Sequence, residues 1–308
     1  MVWDNYKDDY LSFLSLEKSL SKNSLQAYES DFNKLQSFIR KNYRKLDPTA
    51  LKQDHIEEFL ADLYDQGLNA RSQARVLSSI KGFYKYLMLE DIIEEDPTEL
   101  IQGPKLDKKL PHVLTVEEID SLIGAIDMSK PEGPRNKAIL ETLYSCGLRV
   151  TEAISLRMTD LFFEQGYIRV VGKGNKERLV PINNKAIEDI QAYLIERVKL
   201  DINPKFENIL FLNRRGNQLT RVMIFTIIKD LSNKIGLKKK ISPHTFRHSF
   251  ASHLFERGAD LRVIQELLGH ETIITTEIYT HLEKSHLRDM LLMHHPRAKR
   301  ALDLTQIK

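Results

Sequence analysis

Histidine, arginine and tyrosine residues in the last third of the chain have the side chains needed to act on a phosphodiester. His244, Arg247 and His248 lie within five residues of one another, and His270 and Tyr279 follow. A guanidinium binds a phosphate through paired hydrogen bonds, and an imidazole adds a further donor. Tyrosine is among the side chains that form covalent intermediates in enzymes. These residue types predict phosphoryl transfer without a metal.

Two residues upstream complete the predicted set. Arg149 supplies a second guanidinium, and Lys173, in a glycine-rich loop, supplies an ammonium that can protonate a leaving alkoxide. The predicted phosphate-binding residues are Arg149, His244, Arg247 and His270. Tyr279 is the predicted nucleophile. Glu152, three residues after Arg149, is predicted to orient that guanidinium or to hydrogen-bond a neighbouring histidine, and His248 is predicted to support the site.

The same residues do not predict a metal or a nucleotide cofactor. His244 and His248 have the spacing of a zinc-binding helix, but Thr245 stands where the zinc protease motif has glutamate, and no third ligand follows. The loop around Lys173 lacks the spacing and the Lys-Ser/Thr ending of a Walker motif. Cys146 is the only cysteine, which excludes a disulfide framework and a multi-cysteine zinc site. We therefore expect no cofactor.

The distribution of charge favours a polyanionic partner for the second part of the chain. The 308 residues carry a formal net charge of +3. Residues 1–107 contain 14 Lys and Arg against 19 Asp and Glu, whereas residues 108–308 contain 32 against 24. Cationic side chains displace the counterions condensed on nucleic acid, so the basic part fits such a partner.

Two further patterns predict where the protein is found. No apolar run reaches the length of a membrane span. The N-terminal residues have neither the basic region nor the apolar region of a signal peptide. We therefore expect a cytoplasmic protein that does not contact a membrane.

Apolar spacing predicts that the first domain is wholly helical. Residues 1–101 contain apolar residues at three- and four-residue intervals, which predicts a bundle of four main helices. Asp54, with Glu57 three residues later, is the predicted N-cap of one of them. Residues 102–111 contain two prolines, a glycine and alternating charges without apolar periodicity, which predicts a linker.

The second domain, residues 112–308, is predicted to be mostly helical with one small antiparallel β element. Tyr167–Val171 and Arg178–Ile182 are predicted strands, and the glycine-rich loop between them predicts a hairpin that presents Lys173. Helical spacing recurs on both sides of the hairpin, ending with Glu283–His294. The predicted fold class is therefore mainly α.

Five motifs in one order resemble the tyrosine recombinase (phage integrase) family and, within it, the Xer site-specific recombinases. The motifs are Gly147-Leu148-Arg149-Val150-Thr151-Glu152, Gly172-Lys173-Gly174-Asn175-Lys176-Glu177-Arg178, His244-Thr245-Phe246-Arg247-His248-Ser249-Phe250-Ala251-Ser252-His253, Leu267-Leu268-Gly269-His270 and Thr276-Glu277-Ile278-Tyr279-Thr280-His281. The resemblance extends over nearly the whole chain, and the shared order of five motifs makes it very specific.

The resemblance implies a role for each residue of the predicted set. Tyr279 corresponds to the nucleophile that forms a 3′-phosphotyrosyl bond with DNA and frees a 5′-hydroxyl, and Lys173 corresponds to the general acid. The residues that correspond to the phosphate-stabilising groups are Arg149, His244, Arg247 and His270. Energy is kept in the phosphotyrosine bond, so the family needs neither ATP nor a divalent metal for strand exchange.

The resemblance also implies an organisation and a partner. It implies a SAM-like N-terminal bundle and a mostly helical catalytic domain that together close around duplex DNA. Four protomers would join two DNA sites, and each would place its C-terminal helix in a neighbour. Glu283–His294 is the candidate for that helix, with docking on its own domain as the alternative. The other protomers would be copies of this chain or a sister Xer recombinase, and a DNA translocase is a candidate activator.

The implied function is site-specific recombination that resolves chromosome dimers at cell division. The ending from His294 to Ala298 resembles Xer proteins, and the chain has no extra arm-binding domain at its N-terminus, which favours this function over phage integration. The alternatives are an integrase or transposon recombinase with the same chemistry, and a DNA-binding protein that has lost catalysis. A type IB topoisomerase shares the chemistry but not the recombinase motifs.

The acidic N-terminal domain must concentrate its basic residues on one face if it is to contact DNA. The candidate DNA-binding residues there are Lys22, Arg71, Arg75, Lys81 and Lys85.

Overall fold

The computed structural model describes residues 2–43, 46–106, 113–172, 175–269 and 281–297. The chain divides into two compact units, Met1–Lys109 and Leu110–Lys308. The described residues form twelve α-helices and one three-stranded antiparallel sheet, so the predicted mainly α-helical class is confirmed. Within this described part, no helix combines the length and the apolar character needed to cross a bilayer.

Four α-helices build the first unit, as the apolar spacing predicts. They are α1 (Val2–Leu16), α2 (Lys22–Asn42), α3 (Gln53–Asp65) and α4 (Ala70–Leu89). Their inward faces form one aromatic core, in which Phe32 makes edge-to-face contacts with Trp3 at 5.6 Å and with Phe83 at 4.9 Å between ring centroids. Packing between these helices therefore contributes more to their stability than the helical propensity of each segment alone.

The start of α3 differs from the prediction that Asp54 is its N-cap. The helix begins at Gln53, and the backbone N–H of Lys52 donates to Nδ1 of His55 at 2.9 Å. Asp54 lies instead in the first turn, where its negative charge is favourable beside the positive end of the helix dipole. The prediction was wrong because His55 closes the helix end, a role that capping patterns assign to Glu or Gln.

The described residues of the second unit contain eight α-helices. They are α5 (Val116–Gly124), α6 (Gly133–Ser145), α7 (Val150–Ile154), α8 (Asn184–Arg197), α9 (Arg221–Lys234), α10 (Pro243–Glu256), α11 (Leu261–Leu268) and α12 (His281–His294). The helix α6 is central, because Ile139, Leu140 and Thr142, which lie on different sides of it, are all fully buried. Its C-terminal end leads directly into the segment that contains Arg149.

The sheet contains the predicted hairpin and one additional strand. Its strands are β1 (Leu161–Phe162), β2 (Tyr167–Val171) and β3 (Glu177–Pro181), paired in that order. Val170 lies opposite Arg178, and Ile168 lies opposite Val180. Ile168, Val170 and Val180 are buried, so one face of the hairpin packs on the core. β1 was not predicted because two residues are too short to show alternation.

The segment after α12 is anchored in the second unit by both apolar and charged contacts. Leu287 and Leu291 of α12 are buried in its core. The Arg297 guanidinium donates to Oε1 of the buried Glu141 at 2.9 Å and also contacts Asp120. In this single chain α12 therefore docks on its own catalytic unit, and its transfer to a neighbouring protomer stays a prediction.

Candidate active site

The loop between α6 and α7 positions Arg149 at the start of α7. Gly147 has φ of +59°, and a Cβ at this position would lie 2.5 Å from Cδ1 of the buried Phe250. Glycine is therefore required both by the left-handed backbone and by the close ring. Arg149 follows as the N-cap residue of α7, with its side chain about one-third exposed.

Arg247 is anchored by backbone carbonyls of two other motifs. It lies on the buried face of α10, and its guanidinium donates to the carbonyl oxygen of Gly147 at 2.8 Å and to that of Leu268. Arg149 likewise donates from Nη2 to the carbonyl oxygen of Gly269 at 3.2 Å. The two predicted arginine motifs and the residues just before His270 thus meet at one place.

Glu152 connects the arginines through its buried carboxylate. Oε1 accepts from Nη1 of Arg149 at 2.9 Å, and Oε2 accepts from the backbone N–H of the same residue at 2.7 Å. Oε2 also lies 3.9 Å from Nη1 of Arg247. The predicted orienting contact between Glu152 and Arg149 is present in the structure.

Arg178 is a member of this cluster that the sequence analysis did not assign. From β3 it donates to Oε1 of Glu152 from Nη1 at 2.8 Å and to Oε2 from Nη2 at 3.1 Å. Its side chain is 10% exposed. The only signal in the sequence is its place at the end of the lysine hairpin motif, which does not indicate the partner.

The electrostatics of the cluster favour an anion. Three guanidiniums meet one carboxylate here. Burial, and then the positive charge of Arg149, lower the pKa of Arg247 to about 10, so it stays protonated at neutral pH. Burial opposes ionisation of Glu152, but hydrogen bonds from Arg178 and Arg149 outweigh it and hold the pKa of that carboxyl below its usual value. The cluster therefore retains a positive excess that suits a phosphodiester.

The histidines of α10 lie in two different environments. His244 and His248 are on its exposed face, near the helix N-terminus, and Arg247 is between them on the buried face. His253, further along, is buried, and its Nδ1 lies 2.8 Å from the Tyr144 hydroxyl. Within the described parts of the chain, no group of three or more His, Cys, Asp or Glu side chains is arranged to hold a metal.

Three of the predicted catalytic residues, Lys173, His270 and Tyr279, lie outside the described residues. The residue before Lys173 and the residue before His270 are described. The backbone N–H of Gly172 donates to the carbonyl of Lys176 at 2.8 Å, which closes the hairpin. Gly269 ends α11 with φ of +64°.

The predicted DNA-contacting residues of the first unit lie on two helices. Lys22 begins α2, and α4 carries the exposed Arg71, Arg75 and Lys85 and the half-buried Lys81. Arg75 also has a structural partner, because its Nη2 donates to Oδ1 of the fully buried Asp31 at 2.9 Å. That contact joins α4 to α2. A role of these residues in DNA binding stays a prediction.

Comparison with known proteins identifies the family. Residues 112–286 match the phage integrase family, and residues 8–91 match the phage integrase N-terminal SAM-like domain. The chain belongs to the phage integrase family. It is 44% identical to tyrosine recombinase XerD of Listeria innocua. The aligned 293 residues are 94% of this chain and 98% of the relative. Tyrosine recombinase XerD of Staphylococcus aureus is 42% identical over the same shares of the two chains.

Solved structures agree with this assignment. XerH site-specific recombinase bound to its difH substrate in a pre-cleavage complex is similar with a TM-score of 0.65 and 27% identity, covering 86% of this chain and 78% of that one. The Tn1549 transposon integrase in complex with transposon right end DNA has the same fold, with a TM-score of 0.72 and 18% identity over 98% of this chain and 99% of that one. The predicted family and the predicted enzyme class, a tyrosine recombinase, are confirmed.

Proposed function

We propose that the chain cuts and rejoins duplex DNA at specific sites through a covalent bond between Tyr279 and a 3′-phosphate. The observation that carries this proposal is the meeting of Arg149, Arg178 and Arg247 around the single carboxylate of Glu152. Preorganised positive groups lower the energy of a phosphodiester whose negative charge grows during the reaction. The relatives named as tyrosine recombinases support the same chemistry.

The proposed cleavage step breaks one bond and forms another. The Tyr279 oxygen attacks phosphorus, and the bond from phosphorus to the 5′-oxygen breaks. Lys173 donates a proton to that oxygen, and the phenolic proton passes to a base, for which the imidazoles of the site are candidates. The charge on the non-bridging oxygens would be stabilised by Arg149, His244, Arg247 and His270. Attack by a 5′-hydroxyl on the phosphotyrosine then rejoins the DNA and releases Tyr279, so no cofactor is consumed.

The proposed partner is duplex DNA in an assembly of several protomers. The XerH relative was solved with its difH substrate, which supports a DNA substrate for this chain. We propose that four protomers act on two sites, as copies of this chain or with a sister Xer recombinase, and that α12 exchanges between them. The proposed setting is the cytoplasm, and the proposed role is resolution of chromosome dimers, with a DNA translocase as activator.

A trapping assay tests the catalytic part of this proposal. The full chain first selects a binding duplex from a pool of random sequences. That duplex is then nicked beside the cleavage position, so that cleavage releases a short fragment and leaves the protein bound to DNA. We expect a covalent protein–DNA adduct that is stable to denaturant. We expect none with Tyr279→Phe, which removes only the nucleophilic oxygen.

The outcomes separate the alternatives. Selection of a duplex without any adduct would indicate a DNA-binding protein that has lost catalysis. An adduct that persists in Tyr279→Phe would refute the assignment of the nucleophile. The selected sequence, located on the source chromosome or on a mobile element, separates a chromosome-dimer recombinase from an integrase.

A further inference from the structure

Arg178 lies between the lysine hairpin and the arginine motifs. It is the second residue of β3 and lies opposite Val170, and its side chain hydrogen-bonds to Glu152 on α7. Both terminal nitrogens are used by the two carboxylate oxygens, and Nε has no hydrogen-bond partner among the described residues. A bidentate pair of this kind fixes the orientation of the carboxylate as well as its position.

The backbone on both sides of the pair fits closely around it. A Cβ on Gly172, the residue before Lys173, would lie 3.6 Å from Nη1 of Arg178 and 3.7 Å from Oε1 of Glu152. A Cβ on Gly269 would lie 3.1 Å from Cδ, Nε and Cζ of Arg178. The pair therefore packs against the residue before Lys173 and against the residue before His270.

The other contacts of Glu152 do not replace those of Arg178. Arg149 binds Glu152 through one side-chain nitrogen and its own backbone N–H, and Arg247 lies 3.9 Å away. Among the described residues, the carboxylate without Arg178 would keep only the contacts from Arg149, at the start of its own helix, and the more distant charge of Arg247. In the described part of the hairpin, Arg178 is the residue whose side chain hydrogen-bonds to this carboxylate.

We propose that Arg178 is a positioning residue of the strand-cleavage reaction. It fixes the Glu152 carboxylate that orients Arg149, and it ties the hairpin containing Lys173 to the phosphate-binding arginines. This inference rests on the proposed function. Both terminal nitrogens of Arg178 donate to Glu152, so Arg178 acts through this carboxylate and through the hairpin.

The test measures, under single-turnover conditions, how fast the covalent protein–DNA adduct forms on the nicked duplex that the full chain selected from random sequences. For Arg178→Ala we expect a rate reduced by about 10- to 100-fold, by analogy with the loss seen in metalloenzymes when the hydrogen-bond partner of a metal ligand is removed. Duplex affinity should change little. Arg178→Lys keeps the positive charge but loses the paired hydrogen bonds of the guanidinium, so we expect a rate between those of Arg178→Ala and the wild-type chain. The matched control is Arg169→Ala on β2, which removes an arginine paired with Asp160 and, at 3.8 Å, with Glu177 but without a contact to Glu152, and its rate should not change.

A double-mutant cycle shows whether Arg178 acts through Glu152. We expect Arg178→Ala combined with Glu152→Gln to be no slower than the slower single variant, because both remove the same contact. Independent, additive losses would overturn the proposal.

The pH dependence distinguishes positioning from a general effect on folding. The charged groups that face Glu152 in the described chain are the guanidiniums of Arg149, Arg178 and Arg247. Loss of Arg178 should raise the pKa of Glu152, so the acid limb of the cleavage rate should move to higher pH. If Arg178→Ala does not fold, the same shift, smaller, is measured in Arg178→Lys.

The results distinguish this inference from the proposed function. If the wild-type chain forms no adduct, the proposed function fails and the inference fails with it. If the wild-type chain forms the adduct and both Arg178 variants react at the wild-type rate with an unmoved acid limb, only the inference is overturned.

Discussion

Arg297 anchors the end of the described chain, and its removal should destabilise the second unit. Its side chain is 6% exposed and its partner Glu141 is 1% exposed. The guanidinium also lies over the Tyr144 ring, with Cζ 5.3 Å from the ring centroid. In Arg297→Ala, the hydrogen bond left to the Glu141 carboxylate among the described residues is that of the Ser145 hydroxyl, which donates to Oε1 at 2.8 Å. A carboxylate would then be buried without its counter-ion.

The magnitude follows from this burial. Removing one partner of a buried ion pair costs about 3–5 kcal/mol. The contact with Asp120, which is 27% exposed, adds less because solvent screens it. For a unit of this size, each kcal/mol lowers Tm by roughly 2–4 °C, so we expect a decrease of roughly 6–20 °C. The control Lys199→Ala removes an exposed pair with Glu196 and should cost under about 1 kcal/mol.

The destabilisation should also depend on pH. Burial raises the pKa of Glu141 even with Arg297 present, and loss of that cation should raise it further. A carboxyl group whose pKa is higher in the folded than in the unfolded protein reduces the free energy of unfolding as the pH rises from the unfolded-state pKa to the folded-state pKa. The deficit of Arg297→Ala should therefore be larger at pH 7 than near the unfolded pKa of a glutamate.

Calorimetry on the full chain measures the transition of the second unit. Fluorescence of Trp3, the only tryptophan, reports the first unit and should be unchanged. A loss under about 1 kcal/mol, or a loss equal at pH 7 and at acid pH, would refute the reasoning that a buried carboxylate depends on Arg297.

Three further predictions concern the active site and the first unit. Gly147→Ala should abolish adduct formation and lower stability in calorimetry, because its Cβ collides with Phe250 and its backbone is left-handed. Lys173→Ala should be inactive on normal DNA but rescued on a substrate whose 5′-bridging oxygen is replaced by sulfur, since that leaving group needs no proton; lack of rescue would count against the acid role. Arg71→Ala should reduce the slope of duplex affinity against salt concentration by about one released counterion, without loss of stability. Arg75→Ala should reduce that slope too, and it should also destabilise the first unit in fluorescence-monitored unfolding because Arg75 binds Asp31. An unchanged salt slope in Arg71→Ala would contradict its assignment.

Local features of the site could be predicted because each depends on residues close in the chain. The contact between Glu152 and Arg149 spans three residues, and the capping box of α5 likewise joins Thr115 to Glu118 with hydrogen bonds of 2.8 and 3.2 Å. Periodicity likewise located the helices, although their ends shifted by a few residues. The start of α3 shows the limit, since His55 completed an end that the residue pattern assigned to Asp54.

The residue types, their order and the helical periodicity can be read along the chain, and these define the family and the predicted catalytic set. Which charged side chains pair with one another became evident from the fold. Arg178 reaches a carboxylate 26 residues away, and Arg75 reaches Asp31 across 44 residues. Charge alone assigned Arg75 to DNA and left Arg178 without a role. An ion pair depends on distance in space, and for residues on different elements that distance is set by packing of the core and not by position along the chain.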